Sequence, residues 1–446
     1  MQISNFLRSS TPSTTFRLPF YSVPHGITRR TLATMPKADS PSGFKPLQDT
    51  ALFTPLKLGP IQLEHRVVLA PLTRLRATKE SEGVTVPNDV NAEYYGQRAS
   101  KGGLLLTEAT DIAKFAGGYP GAPGVFSDSQ IAGWKKVTDA VHAKGGYIFC
   151  QIWHTGRASP PSFRGGQQPV SSSDIPIDGS WSDGTVCAEH PPRALSVDEI
   201  GQIVKDFGSA AKKAREAGFD GIEIHGANGY LLDQFLHDNV NNRTDQYGGS
   251  VENRVRLPLE VIEECSKAIG ADRVGIRLSP YNYFQSTKDS NPNEHWEYLC
   301  EKIATLPQDV RPVYVHMVEP RFDEVLDEQA KMDALSAYTS SGGKGVEAEA
   351  TVKAKGNTLV NFRNILKKGD VKFVAAGGFN RDNAVPKLEA DDADLIIFGR
   401  WFIANPDLPK RLAEGLELNP YDRSSFYGGN AKGYIDYPFY GQKVTA

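Results

Sequence analysis

Eight short apolar runs, at 66–70, 103–107, 147–153, 221–225, 274–278, 313–318, 373–376 and 395–398, recur along the chain with helical patterns between them. Their apolar residues are consecutive rather than alternating, which suits strands buried on both faces of a parallel sheet. The helical stretch 196–217 opens on Ser196-Val197-Asp198-Glu199 and stops at Gly218. Its first four residues are a capping box, in which a serine hydroxyl and a glutamate carboxylate satisfy each other's backbone N–H groups. Strand and helix alternating in this way predict a single closed (β/α)8 TIM barrel of the α/β class in preference to an open doubly wound sheet. No G-x-G-x-x-G follows any strand, so a dinucleotide-binding fold has no support. A hairpin over 58–63 would close the bottom of the barrel. Two connections exceed ordinary loop length. Residues 157–193, after strand three and rich in Ser, Pro, Gly and Asp, read as a lid over the barrel mouth; 327–358, which contains Thr339-Ser340-Ser341-Gly342-Gly343-Lys344-Gly345, reads as a mobile loop.

The 446 residues leave room for one barrel with extensions, here taken as 39–446. A net charge of -3 offers no global attraction to nucleic acid or to an acidic membrane, and no apolar run approaches the ~20 residues that span a bilayer. Cys150, Cys187, Cys265 and Cys300 are scattered without a C-x-x-C pair, which reads as free thiols in a reducing compartment. His237, His295 and His316 lack metal-ligand spacing, so they are read as structural and no metal is expected. Residues 1–38 contain no Asp or Glu, while Arg8, Arg17, Arg29, Arg30 and Lys37 stand among many Ser and Thr. That is the composition of a mitochondrial transit peptide. A disordered tail is the alternative, as is a start at Met35, which would leave a cytoplasmic protein.

Chemistry concentrates in Gly221-Ile222-Glu223-Ile224-His225-Gly226-Ala227-Asn228-Gly229-Tyr230-Leu231-Leu232-Asp233-Gln234-Phe235, which sets a His, an Asn and a Tyr at the exit of a buried strand. Barrel enzymes keep their active sites at that end. If the chain turns helical after Ile224, three-residue spacing puts His225 and Asn228 on one face, and Gly226 and Gly229 ease the turn. A neutral imidazole and an amide can both donate to one carbonyl oxygen, and a phenol two residues further on can supply a proton. A strand end whose polar groups merely satisfy local backbone would carry the same residues. Thr73, Gln151, His225, Arg277 and Arg400 fall at the carboxyl ends of five different strands, which packing alone does not explain.

The segment runs on through Asn242-Arg243-Thr244-Asp245-Gln246-Tyr247-Gly248-Gly249-Ser250-Val251-Glu252-Asn253-Arg254. Together with Ala70-Pro71-Leu72-Thr73-Arg74-Leu75-Arg76, Gln151-Ile152-Trp153-His154, Gly275-Ile276-Arg277-Leu278-Ser279-Pro280 and Phe398-Gly399-Arg400-Trp401-Phe402-Ile403-Ala404-Asn405-Pro406-Asp407-Leu408, it resembles the old yellow enzyme family of flavin-dependent ene-reductases over roughly 52–440. The resemblance implies non-covalent FMN across the barrel mouth, NADPH (or NADH) as reductant, an enal or enone substrate, and a monomer or homodimer. It gives the Thr73 hydroxyl to the flavin C4 carbonyl, which aligns the chain with the classical branch and not with the branch that has cysteine there. Pro71 and Ala109 would lend backbone contacts, with Gln151 as a hydrogen-bond donor at the pyrimidine edge and Arg277 as the positive group near N1. Gly377 and Gly378 after strand seven, with Gly399 and Arg400 after strand eight, would hold the phosphate, as these two loops often do in barrels. His225 and Asn228 would polarise the substrate carbonyl, hydride would pass from flavin N5 to the β-carbon, and Tyr230 would protonate the α-carbon from the opposite face, a net trans addition. Trp153, Tyr119, Tyr281, Phe284 and Tyr427 would wall the substrate cavity, with His154 behind Trp153; Arg243 and Arg254 would brace a long loop by ion pairing. The same residues would serve a dedicated natural-product reductase or isomerase.

Overall fold

The computed structural model describes residues 44–282, 284–320 and 359–442, so the tail 1–38 and the connection 327–358 lie outside the described residues. Eight parallel strands close into a barrel: β1 (Val67–Leu69), β2 (Leu104–Leu106), β3 (Tyr147–Trp153), β4 (Gly221–Gly226), β5 (Val274–Leu278), β6 (Tyr314–Val318), β7 (Lys372–Ala376) and β8 (Leu395–Phe398). Each corresponds to one of the eight apolar runs. Closure is made where Ile396 of β8 stands opposite Val67 of β1, with β3 joined to β4 by Gly221 opposite Phe149. Helices α1 (Asp89–Arg98), α2 (Asp128–His142), α3 (Val197–Glu216), α4 (Arg256–Ile269), α5 (Pro292–Thr305), α6 (Val360–Lys368), α7 (Ala384–Glu389) and α8 (Leu408–Glu414) follow the strands in turn. In α3 the capping box forms as read: Glu199 N–H donates to Ser196 Oγ at 3.2 Å, and Ser196 N–H donates to Glu199 Oε2 at 2.8 Å.

Side-chain size decides how the barrel fills. Inward residues of the lower barrel, Val68, Leu104, Leu106, Phe149, Tyr314, Val374, Leu395 and Ile397, form one apolar cluster with Leu58, Ile61 and Leu63 of the antiparallel hairpin Leu56–Leu58 and Ile61–Leu63. The hairpin therefore plugs the bottom. Two large rings fit because β4 and β5 put glycine beside them: a Cβ on Gly275 would lie 2.2 Å from Tyr314 Cζ, and one on Gly221 would lie 2.6 Å from the Phe149 ring. Such distances are far inside van der Waals contact, so any larger residue would displace an aromatic from the core.

The 157–193 segment does cover the mouth. Its short strands Val170–Ser171 and Arg193–Ala194 pair in parallel. Buried Arg157 ties it down, donating to the carbonyls of Ile175 at 2.8 Å and Gln285 at 2.9 Å, while the Trp181 indole donates to the Arg157 carbonyl at 3.1 Å. Ala158, Ile177, Trp181 and Cys187 form a small core over Tyr230.

At the foot of this lid the Gly156 N–H donates to His154 Nδ1 at 3.0 Å, which needs a neutral imidazole, and burial pushes the His154 pKa down to about 3. A base whose folded pKa is depressed contributes stability above its unfolded value of 6.5 that is lost as pH falls towards the folded one. At pH 4 that loss is about 3 kcal/mol. His154→Gln should therefore lose less Tm than the wild type between pH 7 and pH 4, measured by calorimetry. Parallel Tm–pH curves would show that this imidazole does not titrate with unfolding.

Candidate active site

At the end of β4 the sequence makes a sharper turn than a helical exit. The strand continues through His225 and Gly226, and the chain then reverses at Asn228 and Gly229, whose φ values are 58° and 73°. Both lie in the left-handed region, which asparagine tolerates and glycine prefers. Gly229 is obligatory, because a Cβ there would stand 2.8 Å from the Phe284 carbonyl oxygen. The reversal makes Tyr230 the residue that opens the short helix Leu231–Leu236. Its ring meets His225 edge to face at 5.0 Å and Trp153 at 4.6 Å, and Trp153 lies 6.0 Å from His225 and 5.8 Å from Tyr119.

Hydrogen bonding fixes what these groups can do. A backbone N–H can only donate, so the Ala227 N–H 3.3 Å from His225 Nδ1 leaves the imidazole proton on Nε2. Burial, then Arg277 and His316, hold the His225 pKa well below its ordinary value. The ring is a neutral Nε2–H donor. The Asn228 N–H donates to Ser279 Oγ at 2.7 Å, and Asn228 Oδ1 accepts from Asn282 Nδ2 at 2.9 Å. The Tyr230 and Tyr119 hydroxyls are hydrogen-bonded to each other, and burial pushes Tyr119 up to about 12. Tyr119 passes its own proton bond to the Ala158 carbonyl at 3.2 Å.

Below them the barrel interior is polar and fully buried. Glu223 accepts from Gln151 Nε2 at 2.7 Å and from the Tyr314 hydroxyl at 3.0 Å, with His316 Nδ1 also at 3.0 Å. Burial would raise this carboxyl, but His316, Arg277 and Gln151 outweigh it and hold it below the usual carboxylate range. An ionised Glu223 accepts only, so Gln151 must turn its NH2 to it and present Oε1 on the other side, where Oε1 has no partner among the described residues. The donor expected of Gln151 is thus an acceptor, suited to an N–H such as that of a flavin pyrimidine ring. Arg277 stands in register between His225 and His316.

Around the rim, Thr73 follows β1, and its hydroxyl makes no hydrogen bond among the described residues, so it is not spent on local backbone. Glu108 takes the N–H groups of Arg74 at 3.0 Å and Leu75 at 3.1 Å, which shapes the strand exit beside half-buried Pro71 and buried Ala109. Arg74 donates to the Phe426 carbonyl and Arg76 to the Ser425 carbonyl, both at 2.8 Å, and so strap the segment carrying Tyr427 across the mouth. Gly377 and Gly378 have consecutive positive φ values of 117° and 66°, and a Cβ on Gly378 would meet nothing within 4 Å. Gly399 is nearly as open, its nearest neighbour being Leu72 at 3.6 Å. Burial and the neighbouring Arg423 lower the Arg400 pKa. Two guanidinium groups and an open glycine cradle are the chemistry that can hold an anion. The unspent Thr73 hydroxyl, the orphaned Gln151 oxygen and this corner fit FMN.

Tyr281 is not brought to this constellation. Its hydroxyl donates to Asn293 Oδ1 at 2.5 Å and its ring packs 6.0 Å from Phe362, between barrel and helices. Phe284 is half-buried, with its carbonyl against Gly229. His316, read as structural, bonds to Glu223 under the site. His237 and His295 are buried away from it, beside Asp233 and Asp289, and no metal-ligating cluster exists among the described residues. Arg243 pairs with Asp245 at 2.5 Å, while Arg254 chiefly donates to the carbonyls of Leu236 and Gly249. All four cysteines are buried and free.

Three groups carried no sequence signal: Asn282, Arg423 and Asp111. Asp111, in the strand extension Thr110–Asp111, accepts the Trp153 indole N–H at 2.6 Å, and burial pushes its carboxyl up to about 8.

A sequence profile of the NADH:flavin oxidoreductase / NADH oxidase family matches residues 51–419. The chain is 61% identical over 390 residues to the flavin oxidoreductase hxnT of Emericella nidulans, covering 87% of this chain and 97% of that protein. It is 43% identical over 395 residues to 12-oxophytodienoate reductase 2 of Arabidopsis thaliana, covering 88% and 96%. Among solved structures, morphinone reductase in complex with tetrahydroNAD matches with a TM-score of 0.73 at 40% identity, covering 87% of this chain and 97% of that one.

Proposed function

The chain belongs to the NADH:flavin oxidoreductase / NADH oxidase family, the old yellow enzymes, and on that premise we propose that it binds FMN at the barrel mouth and uses NADPH to reduce the activated C=C bond of enals and enones. The observation that carries the reading is the pairing of two neutral donors with a phenol. His225 offers Nε2–H, Asn228 offers its NH2, and the Tyr230 ring packs against His225. Two donors on a carbonyl oxygen withdraw electrons from the conjugated alkene and stabilise the enolate oxygen that develops as the β-carbon is reduced. Tyr230 then gives its proton to the α-carbon. FMN, when bound, supplies the hydride it has taken from NADPH. Thr73, Gln151, Arg277, Pro71 and Ala109 hold its ring, and Gly377, Gly378, Gly399, Arg400 and Arg423 hold its phosphate. Trp153, Tyr119 and Tyr427 wall the substrate cavity. Relatives named as reductases of 12-oxophytodienoate and morphinone, oxo compounds by name, support this substrate class.

Purified protein should be yellow and should consume NADPH when an enone is added; a colourless protein that takes up no FMN on dialysis would overturn the reading. Arg400→Ala removes charge-assisted bonds of about 1.5–3 kcal/mol, so FMN should bind roughly ten- to a hundredfold more weakly by fluorescence titration. Undiminished affinity would move the phosphate elsewhere.

A further inference from the structure

An asparagine donates to a ligand only if its nitrogen end faces that ligand, and the two ends of an amide have almost the same shape. We propose that Asn282, in the loop after β5, is the positioning residue that holds the Asn228 amide nitrogen-first towards the substrate oxygen. The assignment starts from a group that can only donate. The Phe284 backbone N–H lies 2.9 Å from one end of the Asn282 amide, so that end is the oxygen and the other is the NH2. This NH2 lies 2.9 Å from Asn228 and must meet an acceptor there, so the Asn228 end turned towards Asn282 is Oδ1. The Asn228 NH2 consequently points the other way. Among the described residues no protein group accepts from it.

The same loop fixes the rest of the residue. Ser279 Oγ takes the Asn228 N–H at 2.7 Å, and Gln285 Nε2 donates to the Asn228 carbonyl at 2.9 Å. Asn282 is 4% exposed, so water does not replace its bond. A donor carried by β4 is thereby oriented from the neighbouring strand's loop, through a relay of one backbone N–H and two amides.

The inference rests on the proposed role of Asn228, and the test separates the two. Asp at 282 keeps the shape and still accepts from Phe284 N–H, but it cannot donate to Asn228. The Asn228 amide then turns its NH2 to the new carboxylate and shows oxygen to the substrate. Ala merely frees the amide to rotate. Binding of phenol to the FMN-loaded enzyme gives the readout, because the phenol oxygen stands in for the enolate and its ring gives a long-wavelength band against oxidised flavin. Asn282→Ala should weaken binding roughly tenfold and Asn282→Asp roughly a hundredfold, on the scale of one lost and one inverted hydrogen bond. A packing role predicts the reverse order, with the near-isosteric Asp milder than Ala. In an Asn228→Ala background the two substitutions at 282 should become equivalent, since the effect runs through Asn228; an Asp penalty that persists there is direct charge repulsion and overturns the proposal. Equal binding by the wild type and both single variants overturns it too. A wild type that gives no band at all refutes the reading of Asn228 itself.

Discussion

Tyr230→Phe is expected to leave reduction of the enzyme by NADPH at a near-normal rate while slowing reoxidation by an enone about 10²–10⁴-fold, the usual cost of losing a positioned general acid. The substitution is clean for structural reasons. Tyr230 contributes no side-chain cap to the helix it opens, and its ring packs through faces and edges that phenylalanine retains: His225 at 5.0 Å, Trp153 at 4.6 Å and the apolar core of the lid. The hydroxyl bond to Tyr119 is lost. Taking up hydride from NADPH needs no proton at this position, whereas the α-carbon of the enolate does. A nitroalkene, which can leave as its nitronate without enzymic protonation, should be far less affected. Rapid-mixing kinetics resolve the two half-reactions. Equal slowing of both, or an unchanged enone step, would make Tyr230 a packing residue and assign the proton to solvent or another side chain.

How much of this was legible in the sequence follows from the range of the interactions. Strands buried on both faces are written as consecutive apolar residues, so all eight were found, and the Ser196/Glu199 cap is local enough to be read directly. Spacing alone cannot separate a helical turn after β4 from a left-handed reversal. That choice is made at Gly229 by the carbonyl of Phe284, far away in the chain. Gln151 was expected to donate, and its polarity is instead set by Glu223 across the barrel, a group that reads in sequence as one more strand residue. Tyr281 follows a strand end and was placed on the cavity wall; Asn293 and Phe362 draw it into the outer layer. Asn282, Arg423 and Asp111 reach the site through Asn228, Arg400 and Trp153, all distant in sequence, so no local pattern marks them.

The charge arrangement under the site bears on the second large effect. Buried Glu223 and His316 and half-buried Arg277 lie beside His225, and burial, then Arg277 and His316, keep the His225 imidazole from becoming cationic. A neutral donor has a consequence for pH dependence. The folded pKa lies well below 6.5, so His225 does not titrate as pH falls from 8 to 6, and turnover should show no limb from this group in that range. Replacing His225 and Asn228 together with Ala removes both donors from the developing oxyanion. One such donor is typically worth about 10²–10³ in rate, so the enone half-reaction should fall by roughly 10⁴ or more, with a parallel loss of phenol binding. His225→Gln in an otherwise intact protein places an amide N–H near the former Nε2–H and should recover a substantial part of the loss seen in His225→Ala. If Gln rescued nothing, and the wild-type rate changed about tenfold per pH unit near 6.5, the imidazole would be working as a cation, and the burial and charge argument for its neutrality would fail.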